Sequence, residues 1–376
     1  MASALYESVM QYTLEVCYMH SINSFVCDLW LDAFGGCTLT NGFQESVKTK
    51  VVLTVDTEAS IAGAFGGNKA HTPLIHELVA GMVEGKSEAL GFLLETLSRY
   101  GLVATFFVET VQSRYFSDRA MGDYVEKLMR AGQDVQLHLH PCWLAFKDGK
   151  LDLSNLVTDH CHELETGRLT ALIGEGAEWI GAWTGTRPTG MRAGNFSTAL
   201  SVFEAMSTAG LSYSSNICLA VHRPPEPELA VTGGVYDFAG IRELPVTCFF
   251  DIGPVGRGRL RPMQVTALSA REQISLLSAA HENKNPVVLI ATHPFEFVKK
   301  RDFRYSDLRP NRIVQDRFRR LCAFLSANSE RFEVVPLAVA ADAIDSRQRW
   351  TELTGNALNS IVRAVANAVN DRLRFI

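Results

Sequence analysis

Apolar and polar positions along this chain fall into a repeating order once residue 49 is passed. Residues 51–55 (VVLTV) form a short run without a charge, the pattern of a strand covered on both faces in a parallel sheet. Leu90, Leu93, Leu94 and Leu97 then recur at helical spacing and predict a helix over 86–100, ended by Gly101. Strands are predicted at 102–108 and 134–140, separated by a helix at 120–131 that stops at Gly132. A long helical stretch at 154–183 precedes a strand at 188–192 and a helix at 197–209 that stops at Gly210. The remaining strands fall at 242–247, 286–292 and 332–337, with helices at 269–282 and 309–327. Strand and helix alternate roughly seven times, and parallel neighbours need such long crossovers. The pattern predicts an α/β fold, either a doubly wound sheet or a barrel.

Three segments stand outside this order. Residues 1–48 have no Lys or Arg before Lys48, so a secretory signal with a basic leading region is not expected. They read as a packing extension or as sequence the fold does not need. Residues 219–240, with Pro224, Pro225, Pro227 and the Gly233-Gly234 pair, read as a long loop or small hairpin. The tail at 350–374 carries Trp350, Leu353, Leu358, Ile361, Val365, Val369 and Leu373. It predicts an amphipathic helix that docks on the body or mediates a homo-oligomer. The boundaries are therefore an extension at 1–48, a main α/β domain at 49–345 and a helix within 346–376.

Composition narrows the class. Hydrophobic residues make up 47% of 376 positions, enough apolar area to exclude disorder across the whole chain. The net charge of −5 offers no basic face for nucleic acid or an anionic membrane. No apolar run reaches the roughly 18 residues of a transmembrane helix. Eight cysteines without a CxxC pair suggest neither a disulfide scaffold nor a structural zinc knuckle, and point to reduced thiols and a cytoplasmic protein. A GxGxxG after a strand and a Walker loop are both missing, so nucleotide binding has no anchor.

Chemistry enters where polar residues interrupt strand ends. Asp56 and Glu58 close the first strand in TVDTE, and i, i+2 spacing on a strand points both to one face. Two buried carboxylates cost several kcal/mol unless a cation offsets them; a helix N-cap is the competing reading for Asp56. His138 and His140, in LHLHP, share a face by the same rule and suit a zinc-type ion. His160 and His162 also form His-x-His, but their surroundings read helical, where i and i+2 lie about 200° apart. They are not expected to share an ion. Arg192 in MRAGNF suits a fork that grips a carboxylate, and His293 in ATHPF suits a general acid. The GRGRLR run at 256–261 reads as a solvated loop, and Arg312, Arg317, Arg319 and Arg320 as a wet helix face.

The order of these motifs over residues 50–340 resembles the polysaccharide deacetylase family, the NodB-homology or family 4 carbohydrate esterases. The resemblance implies a distorted (β/α)7 barrel of the NodB-homology type with N- and C-terminal extensions. It implies Asp56 as base, Arg192 as the residue that orients it, and His293 as acid. TVDTE stands where the family has TFDDG, so Thr57 replaces the usual ligand and the metal role passes to Glu58. His138 matches the first histidine of the family's His-x-x-x-His, and Cys142 stands at the second. His138 and His140 are the expected partners of Glu58, with Cys142 the alternative. RAGNF lacks the family's proline, and Glu243-Leu244-Pro245 stands where Asp-x-Trp is usual. The implied cofactor is a divalent metal, Zn2+ in the first place. The implied reaction is removal of acetyl from an N-acetylated sugar, glycan or glycolipid, with Trp143, Asn195, Phe196 and Phe295 lining the sugar site. A metal-independent C–N hydrolase and a silent carbohydrate-binding protein are the alternatives.

Overall fold

The computed structural model describes residues 47–62, 72–147, 150–151, 158–253, 258–302 and 304–372. The readings for residues 1–46 and for 154–157 lie outside them. Strands β1 (Thr49–Thr57), β2 (Thr105–Glu109), β3 (Asp134–Leu139), β4 (Gly190–Ala193), β5 (Tyr213–Ser214), β6 (Tyr236–Phe238) and β7 (Ile241–Glu243) belong to one nine-stranded sheet with β10 (Val287–Thr292) and β11 (Phe332–Val334). Its order is β6-β7-β5-β4-β3-β2-β1-β10, with β11 pairing the start of β1. Every neighbour is parallel except the β6–β7 hairpin.

The sheet curls into a half-barrel, and a non-ladder segment closes the remaining gap. Val246 N donates to Ile217 O beyond β5 (2.8 Å), while Thr247 N donates to Leu289 O on β10 (3.1 Å). Leu289 N returns a bond to Thr247 Oγ1 (2.9 Å). The α/β reading is therefore right in its barrel form.

Strand alternation sorts the core into two clusters. Val51, Leu53 and Val55, Phe106 and Val108, and Val135, Leu137 and Leu139 face outward. Against them pack α1 (Leu90–Tyr100), α2 (Asp118–Arg130), α3 (Thr166–Thr184), α4 (Leu200–Thr208), α5 (Ala270–Glu282) and α6 (Arg312–Ala327). Val52, Phe107, Leu289 and Ala291 face inward and meet Leu337, Ala340 and Ala341 of α7 (Leu337–Ala343). Each fully buried Leu or Phe contributes about 1.5–3 kcal/mol. The helix plugs the amino end of the barrel, where Leu337 N donates to Thr105 Oγ1 (2.9 Å). The carboxyl end stays open for polar groups.

Several elements differ from the pattern reading. The 332–337 strand stops at Val334, because Pro336 caps α7. Helix α3 starts only at Thr166, where Glu165 accepts from Gly167 N and Arg168 N. Ahead of it, Cys161–Glu163 form a single 3-10 turn with His160 extended, so the helical argument against His160 and His162 does not apply. Gly258–Pro262 form β9, paired antiparallel with β8 (Cys248–Ile252), rather than a solvated loop. Arg317 is buried, bonding Thr266 O (2.6 Å) and Asn367 Oδ1 (2.7 Å), so α6 has no uniformly wet face.

Helix α8 (Ala357–Arg372) inverts the tail expectation. Its buried positions are Asn359, Ser360 and Arg363, while Leu358, Ile361, Val365 and Val369 are exposed. Arg363 reaches buried Asp251 and Glu272, so charge rather than the apolar stripe fixes the helix to the body. Among the described residues no helix is long and apolar enough to cross a membrane.

Candidate metal centre

The inner-facing positions at the carboxyl ends of β1, β2, β3, β4 and β10 build the site. On β1 the inward set runs Val52, Thr54, Asp56, and Glu58 follows one residue past the strand. On β3 it runs Gln136, His138, and then His140, which keeps an extended backbone (φ −110°, ψ 111°) before Pro141 ends the run. Register aligns Glu109, His138 and Arg192 across three adjacent strands.

Arg192 and Asp56 form the deepest pair. Both are buried, and Arg192 Nη1 donates to Asp56 Oδ1 at 2.6 Å. Arg192 Nε and Nη2 are fixed by Ser215 O (3.0 Å) and Ser215 Oγ (2.7 Å). The guanidinium lies over Phe107 (4.4 Å) and near Phe196 (5.3 Å). The carboxylate is held in one orientation, with Oδ2 on the side of His293.

The second cluster is Glu58 with two imidazoles. Glu58 Oε2 lies 3.1 Å from His138 Nε2 and 2.9 Å from His140 Nε2. The far nitrogens are engaged elsewhere. His138 Nδ1 bonds Arg192 O (2.9 Å), so it donates and leaves Nε2 as the lone-pair nitrogen. His140 Nδ1 faces both oxygens of Asp159 (3.0 and 3.1 Å), and Asn195 Nδ2 steadies that carboxylate at 2.7 Å. Gly194 gives His140 its space, since a Cβ there would come within 2.5 Å of the ring.

Electrostatics fit a shared positive charge. Burial raises the Glu58 pKa, but the attraction and hydrogen bonds of His140 and His138 hold it well below the usual carboxylate range. Burial lowers the His140 pKa, but Glu58 and Asp159 drive it well above the usual imidazole range. Glu109, behind the cluster, is pushed up to about 7 by burial, only partly offset by His140, His138 and its bonds from Val111 N (2.8 Å) and His140 N (2.7 Å). The ligand atoms of Glu58, His138 and His140 lie within 4.8 Å of one another, an oxygen and two aligned nitrogens. That donor set fits a divalent ion of the zinc type.

Cys142 fits the ion less well. It also lies within reach of His140 and Asp159, but burial pushes its thiol pKa up, so its ligation would need the ion itself to displace the proton.

His293 closes the opposite rim. Its Nε2 lies 3.7 Å from Asp56 Oδ2 and its Nδ1 3.0 Å from Glu296 Oε1. Burial lowers its pKa, but the Glu296 bond and the carboxylates of Glu296, Asp56 and Glu58 raise it to about 9. Glu296 is fixed in turn by Thr292 Oγ1 (2.6 Å) and Gln264 Nε2 (2.5 Å).

The structure thus brings Asp56, Glu58, His138, His140, Arg192 and His293 together. Phe295 stacks on His293 (4.8 Å) and borders an adjoining cleft of about 270 Å³. Phe196 and Asn195 lie on the Arg192 side. Trp143 departs from expectation: it is 1% exposed, packed among Phe116 and Phe146 in the core, because the residues after Pro141 turn inward. Glu243 is a structural group, accepting from Asn216 N (3.0 Å) and Ile217 N (2.8 Å) to shape the turn after β5. Sequence reasoning missed Glu109, Asp159, Ser215 and Glu296. Glu109 ends the apolar TFFVE strand and was open to the same strand-end argument; nothing in the sequence marked Ser215.

No family model matches the chain, and no curated protein matches it. Solved structures are similar to it at low TM-score and low identity. A candidate polysaccharide deacetylase from Mycobacterium smegmatis superposes with TM-score 0.48 at 13% identity, over 83% of this chain and 97% of that one. A family 4 carbohydrate esterase from Streptomyces lividans gives TM-score 0.37 at 14% identity, over 77% and 91%. Puue allantoinase gives 0.44 at 12% identity, over 82% and 94%.

Proposed function

We propose that the chain is a metal-dependent hydrolase of C–N bonds that removes acetyl from an N-acetylated sugar or glycolipid. The observation that carries the reading is the carboxylate of Glu58 between two Nε2 atoms whose opposite nitrogens are already engaged. Glu58, His138 and His140 would hold a divalent ion, Zn2+ in the first place. When bound, such an ion acts as a Lewis acid toward the amide carbonyl and acidifies water.

The chain's own groups supply the proton traffic. Asp56 Oδ2 accepts the proton from the attacking water while Arg192 keeps Oδ1 fixed. His293, with a pKa near 9, carries a proton at neutral pH and gives it to the departing amine nitrogen. Its 3.7 Å distance from Asp56 Oδ2 supports an acid and a base acting at one reacting point. The sugar class rests on the motif order.

The deciding experiment is a screen of N-acetyl sugars and glycolipids for released acetate, run with chelator-treated and Zn2+-loaded protein. Acetate release that needs metal and disappears in Asp56→Asn is expected. Turnover that survives Asp56→Asn would remove Asp56 from the base position, and turnover indifferent to the chelator would remove the metal.

A further inference from the structure

Beyond Asp159 the chain carries three imidazoles that the proposed reaction does not use. His160, His162 and His222 meet from two segments far apart in sequence, with ring centroids 5.6 Å (160–162), 4.8 Å (162–222) and 6.4 Å (160–222) apart. Imidazoles on one tetrahedral zinc, with Zn–N bonds of about 2.0–2.1 Å, place their ring centres about 5 Å apart. Two of the separations, 4.8 and 5.6 Å, stand near that value, and the third, 6.4 Å, requires the rings of His160 and His222 to close by about 1 Å on an ion.

A second observation concerns partners. His160 Nδ1, His162 Nδ1, His222 Nε2 and Glu226 Oε2 are all buried atoms without a hydrogen-bond partner. Buried polar atoms in folded proteins are nearly always paired, because leaving one unpaired costs about 1–3 kcal/mol. Three such imidazole nitrogens on neighbouring rings form a donor set suited to an ion.

We propose that His160, His162 and His222 form a second binding site for a zinc-type transition-metal ion. Imidazole nitrogens suit that class over Mg2+ or Ca2+, which prefer all-oxygen sites. The ion would tie the turn at 158–162 to the segment at 218–226. Asp159, which aligns His140, sits in the first of these. The site is a clamp beside the reactive centre rather than part of it.

The test counts metal. The full chain, made without a histidine tag and stripped with chelator, is titrated with Zn2+ and, separately, Co2+, whose visible spectrum reports tetrahedral binding. Wild type should take two equivalents. Glu58→Ala/His138→Ala should keep one, and adding His162→Ala and His222→Ala should weaken that one by more than roughly 100-fold. His222→Ala alone, in the otherwise native chain and with unchanged circular dichroism, should lose one equivalent of two. The proposal falls if Glu58→Ala/His138→Ala keeps none, or if the retained ion ignores the histidine substitutions. A single wild-type equivalent that depends on His162 and His222 but not on Glu58 would uphold this site and remove the first one.

Discussion

Two His-x-His pairs lie 22 residues apart at their second histidines, and the backbone makes them different objects. His138 and His140 follow an extended path at a strand end, so spacing alone puts them on one face, opposite Glu58 from β1. His160 and His162 flank a 3-10 turn, where spacing guarantees nothing, and their third member, His222, comes from 60 residues onward. Carboxylates surround the first pair: Glu58, Asp159 and Glu109. The second has other imidazoles as its nearest rings. A motif of two histidines therefore carries chemical meaning only with the partners its fold supplies.

The sharpest way to break the comparison is to delete one member of each pair. Asp56→Asn and His138→Ala should each lower turnover by about 10²–10⁴, the scale of a lost general base or its equivalent, measured as acetate release. His162→Ala should leave turnover within about threefold, since a clamp acts on the chemistry only through Asp159. A large loss in His162→Ala with intact folding would erase the distinction. Arg192→Ala belongs with the first group but reads out differently. It leaves Asp56 buried without its cation, so unfolding by urea should show a loss of about 3–5 kcal/mol.

A smaller effect probes the residue between the pairs. Asp159→Asn keeps the shape but removes the charge opposite His140 Nδ1, and should weaken Zn2+ at the Glu58 cluster by about 10–100-fold. An unchanged affinity would show that Asn195 and the backbone alone orient His140.

What the sequence could tell followed the same division. Wherever a strand carried the residue, period-2 alternation was enough: Asp56, His138, Arg192 and His293 all fall on the inward parity of their strands. Where the backbone turns, the rule fails. Trp143 sits three residues after His140 but goes into the core, because Pro141 opens a 3-10 turn. The supports Asp159, Ser215 and Glu296 act through distances set by tertiary contact. The apolar stripe of α8 was legible as amphipathic, yet Arg363 finding Asp251 and Glu272 decided which side faces inward.

The finest contrast is in proton affinity, and the two regions should move oppositely with pH. His293 has its pKa raised to about 9, so its ionised form contributes stability that is complete below about 6.5 and is lost as pH rises through 9. His162 and His222 have lowered pKa values, first through burial and then through neighbouring imidazoles, His222 for His162 and His160 for His222. Their neutral forms favour the fold above about 6.5, and that contribution is lost as pH falls through their lowered values. Chemical denaturation of chelator-treated His293→Gln and His162→Gln, each compared with wild type between pH 5 and 9, reads this as a difference. The cost of His293→Gln should shrink on going alkaline; that of His162→Gln should shrink on going acid. Activity carries the same signature, with an alkaline limb near 9 in kcat/KM that Glu296→Gln shifts downward, because the carboxylate that raises the His293 pKa is gone. A limb unmoved by Glu296→Gln would assign that ionisation to a group other than His293.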